Sequence, residues 1–388
     1  MPRRPAVFLL FLVSFLTAGI LTAAAEVNSA SLDASIKRGV DFLITHQNSN
    51  GSWGSAANTK NLNIYAPLPG AHQAFRAGAS GLALSGLIDA ADPRPEAAAA
   101  ITRAAAWTAA ELPKLRRADL TTTYNVWGHA YGLRAMTRLY QAETDPAKKA
   151  EWARLGQQQV DLANRYEDLN GGWGYLDVFD ELATQKPSGL PTSFTTATLL
   201  LAMDQARTVM GVKLDEKLIK RAIAGINAQR TPDFSYTYSF SHRMRPRIDI
   251  NLPAGSLARS QSCNAALRTF GEKAVSDEVL TTWSDRFLAR EGFLSNVRKR
   301  PVPHEGAFRI AGYFYYYGIY YFTESVRLLP PEKHPAYAQR LAAILLERQE
   351  KDGSWWDYPL YDYHQSYGTG YSLMALAWCR ETLKKQVP

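Results

Sequence analysis

From residue 31 onward the chain repeats apolar residues at three- and four-residue spacing, which predicts one helix after another. Two kinds of segment alternate. SLDASIKRGVDFLITHQ, 31 to 47, is amphipathic and runs into a polar turn; FRAGASGLALSGLIDA, 75 to 90, is small, aromatic and apolar on most sides. A helix that is apolar all round must be buried, so the second kind belongs inside the first. Outer helices are expected near 31–46, 94–112, 147–165, 215–229, 275–290 and 335–349. Their inner partners fall near 74–91, 126–143, 193–209, 255–271, 309–328 and 365–384.

Turn aromatics supply the period. Trp53 and Trp173 lie 120 residues apart, Phe234 follows by 61, Phe293 by 59 and Trp355 by 62. A repeat of about sixty residues, with a degenerate copy near Pro113, gives six helical hairpins and points to an all-α solenoid or closed ring. Inner helices without a polar face favour the ring. Links from inner to outer helices are short, as in ADP at 91–93, whereas most links from outer to inner helices are long. Long loops on a rigid scaffold are where binding and chemistry usually sit, so the face that carries them is the expected mouth.

Composition adds a large core: 46% of 388 residues are hydrophobic, with 20 Tyr, 15 Phe and 9 Trp. Residues 1–25 read as a secretory signal, with Arg3 and Arg4 before an apolar run and Ala23, Ala24 and Ala25 before Glu26. A single domain over 26–388 is then expected in an exported, periplasmic or extracellular, protein with no remaining membrane span; a retained anchor is the rival. The formal charge of +8 becomes +6 without the two leader arginines, too mild to signal nucleic-acid binding. Cys263 and Cys379 could pair, although two buried thiols suit a chain of this size better.

HQNSNGSWG, 46–54, and RQEKDGSWW, 348–356, share one grammar. Gly51 and Gly353 can take the left-handed backbone that ends a helix. Gln47 and Gln349 can bond free main-chain groups, and Trp53 and Trp355 can fill the seam between hairpins. Gly171 and Trp173 belong to a third copy. The motif reads as a structural clasp.

RGVDFLITHQNSNGSW resembles the repeat of squalene-hopene and oxidosqualene cyclases, and more loosely that of protein prenyltransferase beta subunits; QRLAAILLERQEKDGSW and QQQVDLANRYEDLNGGW are similar but less complete. The resemblance implies an (α/α)6 toroid with a central cavity. It carries over little chemistry. Where cyclases place an acidic, substrate-protonating cluster, SFTTATLLLAM has Phe194 and Thr195, and neither is a strong acid. DVFDE, 177–181, reads as a solvated loop. His364 aligns with one zinc ligand of the prenyltransferases, but the preceding inner segment, IAGYFYYYGIYYF, offers neither Asp nor Cys, and one His cannot hold zinc. No metal or cofactor is expected, and no GxSxG, HExxH, phosphate loop or GxGxxG occurs.

Site candidates therefore come from dispersed residues near the mouth. His364, His129 and Tyr367 are the acid–base candidates. Arg243, Arg245 and Arg247 on one loop, and Arg298, Arg300 and His304 on the next, could hold an anion. Tyr124, Tyr313 and Tyr317 could line the ligand. Two functions stay open: a non-catalytic protein that binds an apolar or anionic small molecule or polymer in its cavity, and an active enzyme, terpene cyclase-like or an acidic-polysaccharide lyase, that uses His, Tyr and Arg. A protein-docking scaffold is a third.

Overall fold

A computed structural model describes residues 27–57, 59–60, 71–115, 125–174, 191–300 and 311–385. The leader, Tyr124, His304 and the DVFDE segment lie outside these residues. Among these residues six outer helices are present: α1 (Ser29–Thr45), α3 (Pro95–Glu111), α5 (Pro146–Arg165), α7 (Glu216–Ala228), α9 (Asp277–Ala289) and α12 (His334–Arg348). Six inner helices alternate with them: α2 (Ala71–Ala90), α4 (Asn125–Ala142), α6 (Ser193–Met210), α8 (Pro253–Thr269), α11 (Phe314–Val326) and α13 (His364–Lys384). A five-residue helix, α10 (Glu291–Ser295), is added before α11.

Local chemistry sets the helix ends. Asn28, Asp145, Thr192, Asp215 and Ser276 each accept a backbone N–H of the first turn, and Gly211 ends α6 in the left-handed region. Outer helices bury one stripe, such as Leu32, Ile36, Val40 and Leu43 of α1. Inner helices are buried all round, and every residue of α11 from Phe314 to Val326 is inside.

Packing closes the ring. α2, α4, α6, α8, α11 and α13 each pack on the next, and α13 returns to α2; each outer helix sits in the groove between two inner ones. The first and last helices are also tied directly, because Arg380 of α13 donates to the Ala90 carbonyl of α2 and reaches Asp33 of α1 at 3.5 Å. The fold is the all-α toroid expected from the sequence.

The clasps hold neighbouring hairpins. Trp53, Trp173 and Trp355 are wholly buried, and each indole Nε1 donates to the carbonyl ten residues back, of Leu43, Ala163 and Leu345. Each Trp backbone N–H donates to a hydroxyl of the inner helix, of Ser80, Thr196 and Thr369. Gln47 Nε2 donates to the Gly51 carbonyl and to Ala100 of α3, and Gln349 Nε2 to the Gly353 carbonyl and to Ser35 of α1. The Gln side chains thus reach the next outer helix, and the last clasp closes the ring on the first helix.

The fourth turn corrects the sequence phasing. Phe234 N–H donates to Thr231 as Gly51 N–H does to Asn48, so Phe234 stands in the glycine position, with φ of +62°. The aromatic in the Trp position is Tyr236, wholly buried and bonded to Asn264 of α8. At the fifth repeat Phe293 lies within α10, and no clasp turn forms among the described residues. Both cysteines are free and buried, and among the described residues no helix is long and apolar enough to cross a membrane.

Candidate functional site

The starts of the inner helices define the mouth, and side chains close the axis below it. α4 and α11 face each other across the ring, yet Trp127 of α4 lies 6.4 Å from Tyr317 of α11. One level down, the Tyr371 hydroxyl of α13 donates to that of Tyr131 of α4. Lower still, Arg134 of α4 meets Glu324 of α11 at 3.2 Å and also donates to Tyr320. Tyr317 is fixed from both sides, donating to Ser262 Oγ at 2.7 Å and lying 3.0 Å from Thr198 Oγ1. The expected central cavity is therefore crossed at mid-height, and a mouth ligand rests on a floor of rings.

That floor consists of Trp127, Phe194, Phe314 and Tyr238, with Phe194 centred 5.1 Å from Tyr238 and 5.0 Å from Phe314. Phe194 and Thr195, which stand where an acidic cluster would, are both consumed: Phe194 by this stack, and Thr195 by a hydrogen bond to the Trp173 carbonyl.

Among the described residues, 236–251, which link the fourth clasp to α8, bring the most polar side chains together at the mouth. Ser193 N–H donates to the Tyr238 carbonyl, Ser193 Oγ to the Thr237 carbonyl, and Phe240 N–H to Pro191. Asn251 accepts from Tyr238 N–H at 2.8 Å and donates to the Arg245 carbonyl at 3.0 Å. Arg259, wholly buried, donates to the carbonyls of Tyr236, Gly255 and Ile250, and burial lowers its pKa to about 10. These bonds tie the segment to the start of α6 and to Arg259 of α8.

On that segment His242 sits in a 3-10 turn, Ser241–Met244, with Nδ1 2.6 Å from Ser239 Oγ, which lies 3.0 Å from Ser241 Oγ. Nε2 makes no hydrogen bond among the described residues. Burial first, then the nearby Arg259 and Arg245 charges, hold its pKa below the ordinary value. Its ring centre is 5.6 Å from that of Tyr238, whose hydroxyl lies 3.5 Å from the Tyr313 hydroxyl. Arg243, Arg245 and Arg247 are exposed and form no ion pair among the described residues; Arg243 covers the Phe240 ring at 3.7 Å. An imidazole oriented by a hydroxyl and a phenol pair thus share one corner, on a loop that also carries three exposed arginines, of which Arg245 is near enough to act on the His242 charge.

The other candidates are spread out. His129 is wholly buried, with Nδ1 2.8 Å from Gln159 of α5 and its ring stacked on Tyr166, so it occupies the seam behind α4. Burial lowers its pKa to about 4. His364 lies edge-on to Trp356 at 5.1 Å, and burial followed by the Lys60 charge lowers its pKa to about 4. Tyr367 donates to Asp357, a carboxylate the sequence did not single out. Asp357 is wholly buried and also accepts Tyr316 N–H at 2.9 Å, capping the start of α11 from another loop, and burial raises its pKa to about 6. Arg298 donates to Tyr316, and Arg300 to the Asn296 carbonyl. Of the predicted set, the structure brings Tyr313 and Tyr317 to one floor, and it leaves Arg243, Arg245 and Arg247 exposed on the loop that follows Tyr238. His242 and Tyr238 complete that corner; SFSHRMRPR carries no motif spacing, and the only signal in it is a lone His among arginines. No cluster of three His, Cys, Asp or Glu suited to a metal occurs among the described residues.

No protein-family model matches the chain, and no curated protein sequence does. Solved structures match over nearly its whole length. Cellobiose 2-epimerase from Spirochaeta thermophila is similar at a TM-score of 0.57 and 13% identity, over 92% of this chain and 97% of that one. The GH76A alpha-1,6-mannanase from a Salegentibacter species gives 0.53 and 12%, over 91% and 99%. The type II terpene cyclase MstE from Scytonema gives 0.51 and 15%, over 92% and 100%. At such identities the likeness is one of fold: the chain is an (α/α)6 toroid, a scaffold shared by enzymes of unrelated chemistry.

Proposed function

We propose that this chain is an exported toroid enzyme that cleaves an acidic polysaccharide at its mouth by β-elimination. The observation that carries the reading is the corner where His242, tied to Ser239, stands beside Tyr238 and Tyr313 on the loop that bears Arg243, Arg245 and Arg247. Sugar faces suit the ring floor, and uronate carboxylates suit the arginines. The closed axis supports a ligand lying across the face over a polyene folded deep inside.

In this reading an arginine neutralises the uronate carboxylate and so acidifies the adjacent C–H. With Nδ1–H donating to Ser239, the lone pair of His242 Nε2 takes that proton. The electron pair forms the new carbon–carbon double bond, the glycosidic C–O bond breaks, and a Tyr238 or Tyr313 hydroxyl protonates the departing oxygen. Proton exchange with water restores both groups.

The test is the ultraviolet absorbance of an unsaturated uronate product during incubation with polygalacturonate, alginate and glycosaminoglycans. An active polymer should be found, and His242→Ala should lower kcat/KM by about 100- to 10,000-fold with the melting temperature kept. Absorbance that rises with none of the polymers would sink the lyase reading. Polymer binding without turnover, lost in a variant lacking Arg243, Arg245 and Arg247, would establish the second reading, a non-catalytic binder. That reading is favoured by Phe194 and Thr195, which stand where an acidic cluster would and are taken up by the ring stack and by the Trp173 carbonyl.

A further inference from the structure

Among the described residues two arginines are wholly buried, Arg134 and Arg259, each 1% exposed. Arg134 has a carboxylate opposite it, that of Glu324 at 3.2 Å. Arg259 of α8 has none. It forms no ion pair among the described residues and directs its guanidinium to three main-chain carbonyls, of Tyr236 at 2.8 Å, of Gly255 at 2.7 Å and of Ile250. Carbonyl dipoles solvate a cation without cancelling it, and a buried charge without a counter-ion is destabilising, so a neutral donor would serve those carbonyls at less cost. Burial lowers the pKa of Arg259 only to about 10, which leaves it protonated at neutral pH.

The uncompensated charge lies behind the His242 corner. Its guanidinium carbon stands over the Tyr238 ring, 5.8 Å from the centroid. That ring is centred 5.6 Å from His242, and its hydroxyl lies 3.5 Å from that of Tyr313. The same charge reaches Cys263, one turn further along α8, and Tyr317 of α11. Burial holds both of these in the protonated form, with Cys263 pushed up to about 12, so neither neutralises it. The other cation that acts on His242 is the exposed Arg245. A fixed positive charge opposes a second one on His242 and favours a negative one on Tyr238. Elimination needs those two tendencies: a free imidazole to take a proton, and a phenol ready to give one up.

We propose that Arg259 is a positioning residue of the mouth, a buried charge that keeps the His242 imidazole unprotonated and makes Tyr238, rather than Tyr313, the hydroxyl that gives up its proton. The catalytic meaning of this assignment rests on the elimination reading; the action of the charge on His242 and Tyr238 does not depend on turnover. Low dielectric around a buried group lets its charge act over such distances with little screening.

Nuclear magnetic resonance titration of histidine and tyrosine side chains in the full chain tests this, with His242→Ala and Tyr238→Phe identifying the signals. Arg259→Gln should raise the titration midpoints of His242 and Tyr238 by about half a pH unit or more, and Arg259→Lys, which keeps the charge, should restore both. Circular dichroism checks that the variants fold. A measurement on the wild type stands even where Arg259→Gln fails to fold: the His242 midpoint should hold in about 1 M salt, which screens exposed charges such as Arg245 but not a buried one. Its rise to the ordinary imidazole value in salt, or midpoints unchanged in Arg259→Gln, would overturn the assignment. On an active polymer, Tyr238→Phe should lower kcat by about 100-fold or more and Tyr313→Phe by less, and the acid limb of the pH profile should move up in Arg259→Gln with the His242 midpoint. Turnover of no polymer, with the midpoints shifted as stated, would overturn the elimination reading and the catalytic half of the proposal together, and leave the charge effect established.

Discussion

At the residue scale, three buried titratable groups give opposing pH dependences. His129 and His364 have folded pKa values of about 4, below the ordinary imidazole value, because burial disfavours their charged form. The unfolded chain binds those protons more readily, so the stability tied to neutral imidazole is full at high pH and is lost as pH falls from about 6.5 toward 4. His129→Leu is therefore expected to cost stability at pH about 8 and progressively less on acidification, by about 1.4 kcal/mol per pH unit in that window. Urea unfolding at several pH values measures it. Asp357 runs the other way. Its folded pKa of about 6 exceeds the unfolded value, so its contribution is full below about pH 4 and is lost as pH rises through 6. Wild type should gain on Asp357→Asn as pH drops from 6 to 4. Equal slopes for wild type and variant would show that Asp357 keeps an ordinary pKa. The sequence displayed the two histidines but not what surrounds them; His129 is buried by Gln159 and Tyr166 of the following outer helix and its end, and His364 packs on Trp356 of the turn before α13, contacts that exist only once the hairpins fold.

At the element scale, the clasps carry the fold's legibility. Their Gly and Trp spacing gave the period because each turn has one solution. Gly51 has φ of +93° and Gly353 +89°, and an added Cβ would collide with the Arg103 or Arg38 carbonyl of the next outer helix. Gly353→Ala should destabilise by about 2 kcal/mol or more, by strain and by forced separation of α12 and α1, read as a fall in melting temperature. Gln349→Leu removes the donors to Ser35 and Gly353 and should cost about 1–3 kcal/mol. Where the clasp degenerates, the phase slips. Phe234 is aromatic but holds the left-handed position, while Tyr236 does the packing, and no count of aromatics distinguishes two rings two residues apart. Helix bounds were legible to within a few residues because period and caps agree; α10 was not, since five residues are too short to show a period.

At the scale of the whole molecule, the ring was legible in the sixty-residue repeat and in inner helices without a polar face, whereas the closed axis was not. Nothing in the spacing of Arg134 and Glu324 along the chain says that they meet across the ring, or that Tyr131 and Tyr371 bond beneath the mouth. Likewise the His242 corner draws on Tyr313, 71 residues further on, so its chemistry exists only after folding. The tie from Arg380 to Asp33 and Ala90 carries one more consequence. With α1 and α13 already neighbours, the order of hairpins is cyclic, and the place where translation begins is not a structural landmark. A circular permutant that joins residue 385 to residue 27 through a short flexible peptide, and opens instead at the exposed Gly211 turn between α6 and α7, should fold to the same hoop.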